Sequence, residues 1–334
     1  MQRRTICRVA TASAISLGGL KTAGAQKQPD SLMSNASDEH SRLDMVLAGV
    51  PGGGVDHLGR SLGDAVLAAR LASAVQYENI AGKAGTVGLR QFVERHHRNP
   101  NAILVSGMAL LGGLALHDVP VDLKAVTPLA RLTSEYLTLV VHSSSPIASG
   151  RDLMTRLRDP SRKMTFVGGS RAGADHILFG MIRLALRAQE GQLDYLAAQS
   201  RQEALQALAG GRAQVGVSDF SEVQPLIKSG MLRALAISSR GSLHGLPSLK
   251  EVGLDVELSN WRGLFAPAGI TDQQLARLSH TVDLVARSPE WARTLKGNDW
   301  VSSYKSASRF REDLEIEQAV VRVVVQLLKL KKPN

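Results

Sequence analysis

The feature that most restricts the fold is a device used twice. At VPGGGVDHL, residues 50–58, and again at VGGSRAGADHI, residues 167–177, an apolar run ends in glycines and an Asp-His pair opens an apolar helix. A strand that turns through glycine straight into a helix is the building unit of α/β proteins. Further apolar runs stand at 103–107 (ILVSG), 137–142 (LTLVVH), 213–219 (AQVGVSD) and 232–239 (LRALAISS), with amphipathic helical patterns between them. This alternation predicts an α/β protein with a mostly parallel sheet.

Helix starts are marked by capping residues. Asp56 and Asp175 read as N-caps, with His57 and His176 packing in the first turn. Asp56 precedes a stripe of Leu58, Leu62, Ala65 and Ala69. Ser200 with Glu203 and Thr271 with Gln274 form capping boxes, and Ser288-Pro289 places a cap before an N1 proline. A last helix from about Ser308 buries Phe310, Leu314, Val321, Val324 and Leu328, and Lys329, Lys331 and Lys332 suit its negative pole.

The first 25 residues have a basic head, an apolar stretch from Val9 to Leu20 and the small pair Ala23 and Ala25, the order of an export signal. Arg3-Arg4 gives it a twin-arginine look, with a Sec signal as the alternative. Cleavage after Ala25 removes Arg3, Arg4, Arg8 and Lys21 and lowers the formal charge from +10 to +6. It also removes Cys7, the single cysteine, so no disulfide or thiol chemistry remains. Residues 26–43 are polar and read as a flexible lead-in. With aromatic residues at 4%, the chain lacks the stacking platform of a single-strand nucleic-acid binder, and no nucleic-acid partner is expected.

The glycine turns are suited to anions, because free N–H groups at a helix start face outward and no Cβ keeps a ligand from the main chain. Enzymatic patterns fail on spacing. PGGGVDHLGR lacks the Lys-Ser/Thr of a phosphate loop, and the turn at Gly82-Lys83 continues with Ala84. A nucleophile elbow at Ser170 would need glycine where Ala172 stands. The histidines show no metal-ligand spacing. No catalytic residue, cofactor or metal is expected.

PGGGVDHLGR, YENIAGKAGTVGL (77–89), VGGSRAGADH, ALAGGRAQVGVSD, SGMLRALAISS with LPSL (246–249), and NWRGLFAPAGI (260–270) together resemble the extracytoplasmic receptors of tripartite tricarboxylate transporters, the TctC or Bug-type solute-binding proteins. The resemblance covers about residues 45–330. It implies a periplasmic-binding-protein-like fold, two α/β domains joined by a two-strand hinge with a ligand cleft between them. Residues 44–138 with 258–334 would form domain 1 and 139–257 domain 2, the chain crossing near Leu137–Ser143 and Leu254–Trp261. It also implies a monomer in the periplasm that captures a small carboxylate, a di- or tricarboxylate or related acid, and delivers it to integral-membrane transporter subunits.

By matching motif, the ligand residues implied are Gly52, Gly53, Gly54, Asp56, Gly85, Thr86, Ser106 and Gly107 from domain 1. Domain 2 would contribute Gly169, Ser170, Arg171, Gly173 and Asp219. Asp56 would stiffen the cradle, Arg171 would serve as a charged clamp, and Trp261 and Arg262 would stand at the hinge, lining the cleft or, for Trp261, packing. The chain departs from the family pattern at Ala198-Gln199-Ser200-Arg201, where many relatives carry Tyr-Lys-Gly. A sensor partner in place of a transporter, or a Ser170 hydrolase, are the alternative roles.

Overall fold

The computed structural model describes residues 42–330. The export signal, all but the end of the lead-in, and Lys331 and Lys332 lie outside these residues. Among the described residues, ten strands form one sheet with two wings, eight of them along one hydrogen-bonded path and two branching from it. In the first wing β1 (Leu43–Leu47) lies between β2 (Val75–Asn79) and β3 (Ala102–Gly107), and β9 (Ser259–Pro267) fills the place between β3 and β4 (Val126–His142). β10 (Val301–Ser306) also pairs with β4. In the second wing β4 continues beside β7 (Val215–Asp219), followed by β5 (Met164–Gly168) and β6 (Leu193–Ala197), while β8 (Leu232–Ile237) also pairs with β4.

β4 is 17 residues long and belongs to both wings. Up to Tyr136 it pairs with β9, and from Leu137 it pairs with β7. The return passage is equally sharp: Leu258 donates its N–H to the Ser238 carbonyl in the second wing, and the next residue, Ser259, pairs with Tyr136.

The expected mostly parallel sheet is corrected. β1 runs parallel to β2 and β3, and β5 to β6 and β7, but every pair made by β4 or β9 is antiparallel. Parallel pairing requires a crossover of a dozen residues or more, and the chain makes such crossovers within each strand trio. β4 and β9 instead carry the chain out of the first wing and back into it, so they run opposite to each other.

Among the described residues ten α-helices cover the wings: α1 (Gly54–Ala68), α2 (Thr86–Arg95), α3 (Met108–Leu116), α4 (Gly150–Leu157), α5 (Ala174–Ala185), α6 (Arg201–Ala209), α7 (Phe220–Lys228), α8 (Asp272–Ala286), α9 (Pro289–Gly297) and α10 (Ala307–Leu327). One core packs α1, α8 and α9 on the first wing through Leu58, Leu62, Val282 and Trp291. A larger one runs from Phe92, Met108 and Trp261 through Phe310 and Leu314 of α10 to Phe166, Ile177 and Phe179 of the second wing. A third seats α6 and α7 on Val140, Val167 and Leu232. At one point helix and loop meet backbone to backbone: a Cβ on Gly112 of α3 would lie 1.8 Å from the carbonyl oxygen of Ala172.

The capping expectations divide. Thr271 and Gln274 form the full box, and Ser288 caps α9 with Pro289 at its first position. Ser200 caps α6, but the Glu203 carboxylate takes the Gln199 N–H, 2.7 Å away, rather than that of Ser200. Asp56 and Asp175 are not N-caps. α1 starts at Gly54 and α5 at Ala174, each capped by a glycine, so both carboxylates sit inside the first turn. Ala69 ends its helix exposed, and His57 is exposed rather than packed.

Candidate functional site

A cavity of about 300 Å³ lies at the ends of β1, β3 and β9. Its walls include Gly53 and Gly54, Gly85, Ser106 and Gly107, together with Asn260 and Arg262 from β9. Three helices begin at this cavity, α1 after Gly53, α2 after Gly85 and α3 after Gly107, and none receives a side-chain cap. Elsewhere Ser149, Ser200, Thr271 and Ser288 close their helix starts with an oxygen, whereas α5, α7 and α10 also begin without a side-chain cap but not at this cavity. Three uncapped N-termini converging on one space leave N–H donors and partial positive charge for an anion.

Loop geometry supports this arrangement. Gly82, Lys83, Ala84 and Gly85 all have positive φ, at 122, 46, 55 and 94°. Two of these are not glycines, and such conformations cost of order 1–3 kcal/mol each, so the surrounding structure holds the turn in place. The Thr86 hydroxyl, fully buried, donates to the Lys83 carbonyl at 3.0 Å and fastens the turn from behind.

Gly52 and Asp56 do not line the cavity. Asp56 accepts the Gly52 N–H at 2.8 Å, Arg60 Nε at 2.9 Å and Asn79 Nδ2 at 2.9 Å. Burial raises its carboxyl pKa, but the Gly52 amide, Asn79 and Arg60 outweigh that and hold it below the ordinary carboxylate range. Asp56 is thus ionised with its charge directed to the loop.

Arg262 is the cation of the site. Its guanidinium lies on Gly54, where a Cβ would come within 2.1 Å of Nη2. It is buried and paired with the buried Glu135, which also accepts from the Ser221 hydroxyl. Asp219, at the end of β7, lies 3.6 Å from Arg262 and accepts Asn260 Nδ2 at 2.8 and 3.0 Å. Burial first, and then the neighbouring Glu135 charge, push the Asp219 carboxyl above the ordinary carboxylate range against the opposing pull of Arg262. Asp219 touches the cavity through Asn260 and Arg262 rather than by lining it. Trp261 is fully buried, packs edge-on against Phe310 and donates to Glu317, a structural role.

The second glycine loop serves a different space. Gly169 and Ser170 line a larger cavity, about 660 Å³, bounded by α6 and α7. Gly173 caps α5. Asp175 accepts the Gly169 N–H at 2.6 Å, as Asp56 does that of Gly52. Burial, with a contribution from Glu222, pushes Asp175 up to about 6. Arg171 lines neither cavity; it faces a separate pocket beside Arg183 and Asp194. His176 is stacked on Tyr195 with ring centroids 4.0 Å apart and accepts the Ala172 N–H. Burial, and next the Arg171 charge, lower it to about 4. It is a packed neutral ring, as expected.

Of the expected residues, Gly52, Asp56, Thr86, Arg171, Gly173 and Asp219 line neither cavity. Gly53, Gly54, Gly85, Ser106 and Gly107 share the smaller cavity, and Gly169 and Ser170 the larger. Glu135 and Asn260 were not foreseen. The signal available for Glu135 was a carboxylate in the middle of a strand, SEYLTLVV, where an unpaired charge is costly. Among the described residues no group of His, Cys, Asp and Glu is arranged to hold a metal, and no helix is long and apolar enough to cross a membrane.

Comparison with known proteins places this architecture. The chain is 23% identical over 332 residues to the "UPF0065 protein in gbd 5'region" of Cupriavidus necator, covering 96% of this chain and 97% of that one. It is 25% identical to protein BugT of Bordetella pertussis over 74% of this chain and 76% of that one. The fold is shared with an R. palustris protein solved with adipate, at a TM-score of 0.72 and 20% identity over 86% of this chain and 97% of that one. It is also shared with MatC of Rhodopseudomonas palustris, solved with bound malate, at a TM-score of 0.69 and 17% identity over 85% and 99% of the two chains. Residues 60–323 match the family described as "Tripartite tricarboxylate transporter family receptor" (TctC), and the chain belongs to that family of solute-binding receptors.

Proposed function

We propose that the protein captures a small organic acid in the periplasm and hands it to a tripartite tricarboxylate-type membrane transporter, performing no chemistry itself. The observation that carries this reading is the convergence of three side-chain-uncapped helix starts and Arg262 on one cavity. Such a site gains from a carboxylate's charge without needing a nucleophile or base. The structural neighbours solved with malate and adipate agree with an acid ligand.

Capture works by closure. Residues 44–138 with 258–334 act as one domain and 139–257 as the other, with the β4 and β9 passages as hinge strands; backbone rotation there brings the second glycine loop toward the first. Export by the N-terminal signal places the receptor where solute arrives.

The test is a thermal-shift series on purified protein freed of copurified ligand, against mono-, di- and tricarboxylates, acidic amino acids and aromatic acids. A ligand at a hundred times its Kd stabilises the folded state by about 2.7 kcal/mol, so a saturable rise of several degrees is expected with an acid. A flat response to every acid overturns the reading.

A further inference from the structure

We propose that the larger cavity is the second half of a bipartite ligand site, accepting the apolar body of a monocarboxylic acid whose carboxylate sits among the uncapped helix starts. This rests on the receptor reading and names its ligand class.

The two cavities adjoin. Val50 lines both and, although apolar, is 58% exposed between them. Ser218, on the wall of the larger cavity, precedes Asp219, which holds Asn260 on the wall of the smaller. A carboxylate against Gly54 and Arg262 therefore has its substituent directed past Val50.

The larger space is built to take something apolar. Its floor is Val140, Val167, Leu208, Val223 and Leu232, core side chains of the second wing. The cavity opens to solvent at its polar rim, and a ligand that covers this floor removes apolar surface from water. At about 660 Å³ it is of the volume that ligand sites have. The segment 198–201 forms part of this wall.

Charge at the rim sets the class further. Asp175 and Glu222 both line the cavity, against one cation, Arg201. A second carboxylate at the far end of the ligand would leave water to meet two acidic side chains and an apolar floor. A methyl or ring terminus meets no such cost.

The experiment is calorimetric titration of the purified protein with linear monocarboxylates from butanoate to decanoate and with α,ω-dicarboxylates of the same lengths. Affinity is expected to tighten about fourfold per methylene until the cavity is full. Each longer diacid should bind about tenfold or more weaker than its monoacid. Ala204→Phe, which places a ring into the cavity from α6, should remove the gain with length while butanoate binding stays unchanged. Affinity independent of length, or diacids binding as tightly as monoacids, overturns the proposal while leaving the carboxylate receptor standing, and the wild-type series decides this even if the variant folds poorly. Binding of no carboxylate at any length brings down both readings.

Discussion

Asp56 and Asp175 hold corresponding places in the two wings, and each returns its carboxylate to a glycine amide that precedes its own helix, Gly52 in one case and Gly169 in the other. The glycine turns were legible in the sequence, but this backward hydrogen bond was not. An N-cap differs from a first-turn residue by two or three positions, and spacing does not say which way a carboxylate points. The Arg262–Glu135 pair was hidden for another reason: its members are 127 residues apart, and only the sheet register brings them together. A prediction at this scale concerns His176. The unfolded chain takes up a proton as pH falls below about 6.5, whereas the native ring resists until about 4, so its contribution to stability is lost across that window, by up to about 3 kcal/mol. Asp175 works oppositely: its native pKa of about 6 favours folding below the ordinary carboxylate range and the benefit is lost as pH rises through 6. His176→Phe keeps a ring against Tyr195 and removes one of the two opposing effects. Urea melts at pH 7 and 4.5 should show the variant losing less stability on acidification than the wild type. Equal losses would take His176 out of the account.

Elements were legible to the extent that their pattern was local. β1, β3, β5, β7 and β8 correspond to the apolar runs seen in the sequence, within a few residues at their ends. β2 reads VQYEN and β10 VSSYKS; both are partly exposed edge strands without enough apolar residues to stand out. β4 was seen only in its second half, because its first half contains Pro128, Arg131 and Glu135, which break the apolar run; Arg131 pairs with Glu317 and Glu135 with Arg262, partners distant in sequence. The contact of α3 with the second glycine loop gives a prediction. Gly112→Val would drive side-chain atoms into the Ala172 carbonyl, costing about 1–3 kcal/mol by overpacking. A lowered denaturation midpoint and faster hydrogen exchange at the Gly169 amide are expected. An unchanged midpoint would show that helix and loop separate freely.

For the whole molecule, the strand–glycine–helix unit was enough to specify α/β, yet not enough to specify direction. Whether neighbouring strands run parallel depends on where the chain goes next, and β4 and β9 leave their wing rather than loop back within it. Hinge closure predicts that a saturating acid ligand lowers the radius of gyration measured by small-angle X-ray scattering. An unchanged value with ligand bound would mean that the two wings move as one.

The position of β9 has a consequence for how the chain is made. It occupies the slot between β3 and β4 and pairs with both, yet it begins only at Ser259, after every strand of the second wing. A growing chain therefore carries two open edges, at 104–107 and 126–136, until Ser259 and the rest of β9 emerge. The second wing needs no later strand to complete it. The first must wait for the C-terminal quarter, and in that interval its bare edges are where a nascent chain is most prone to join another.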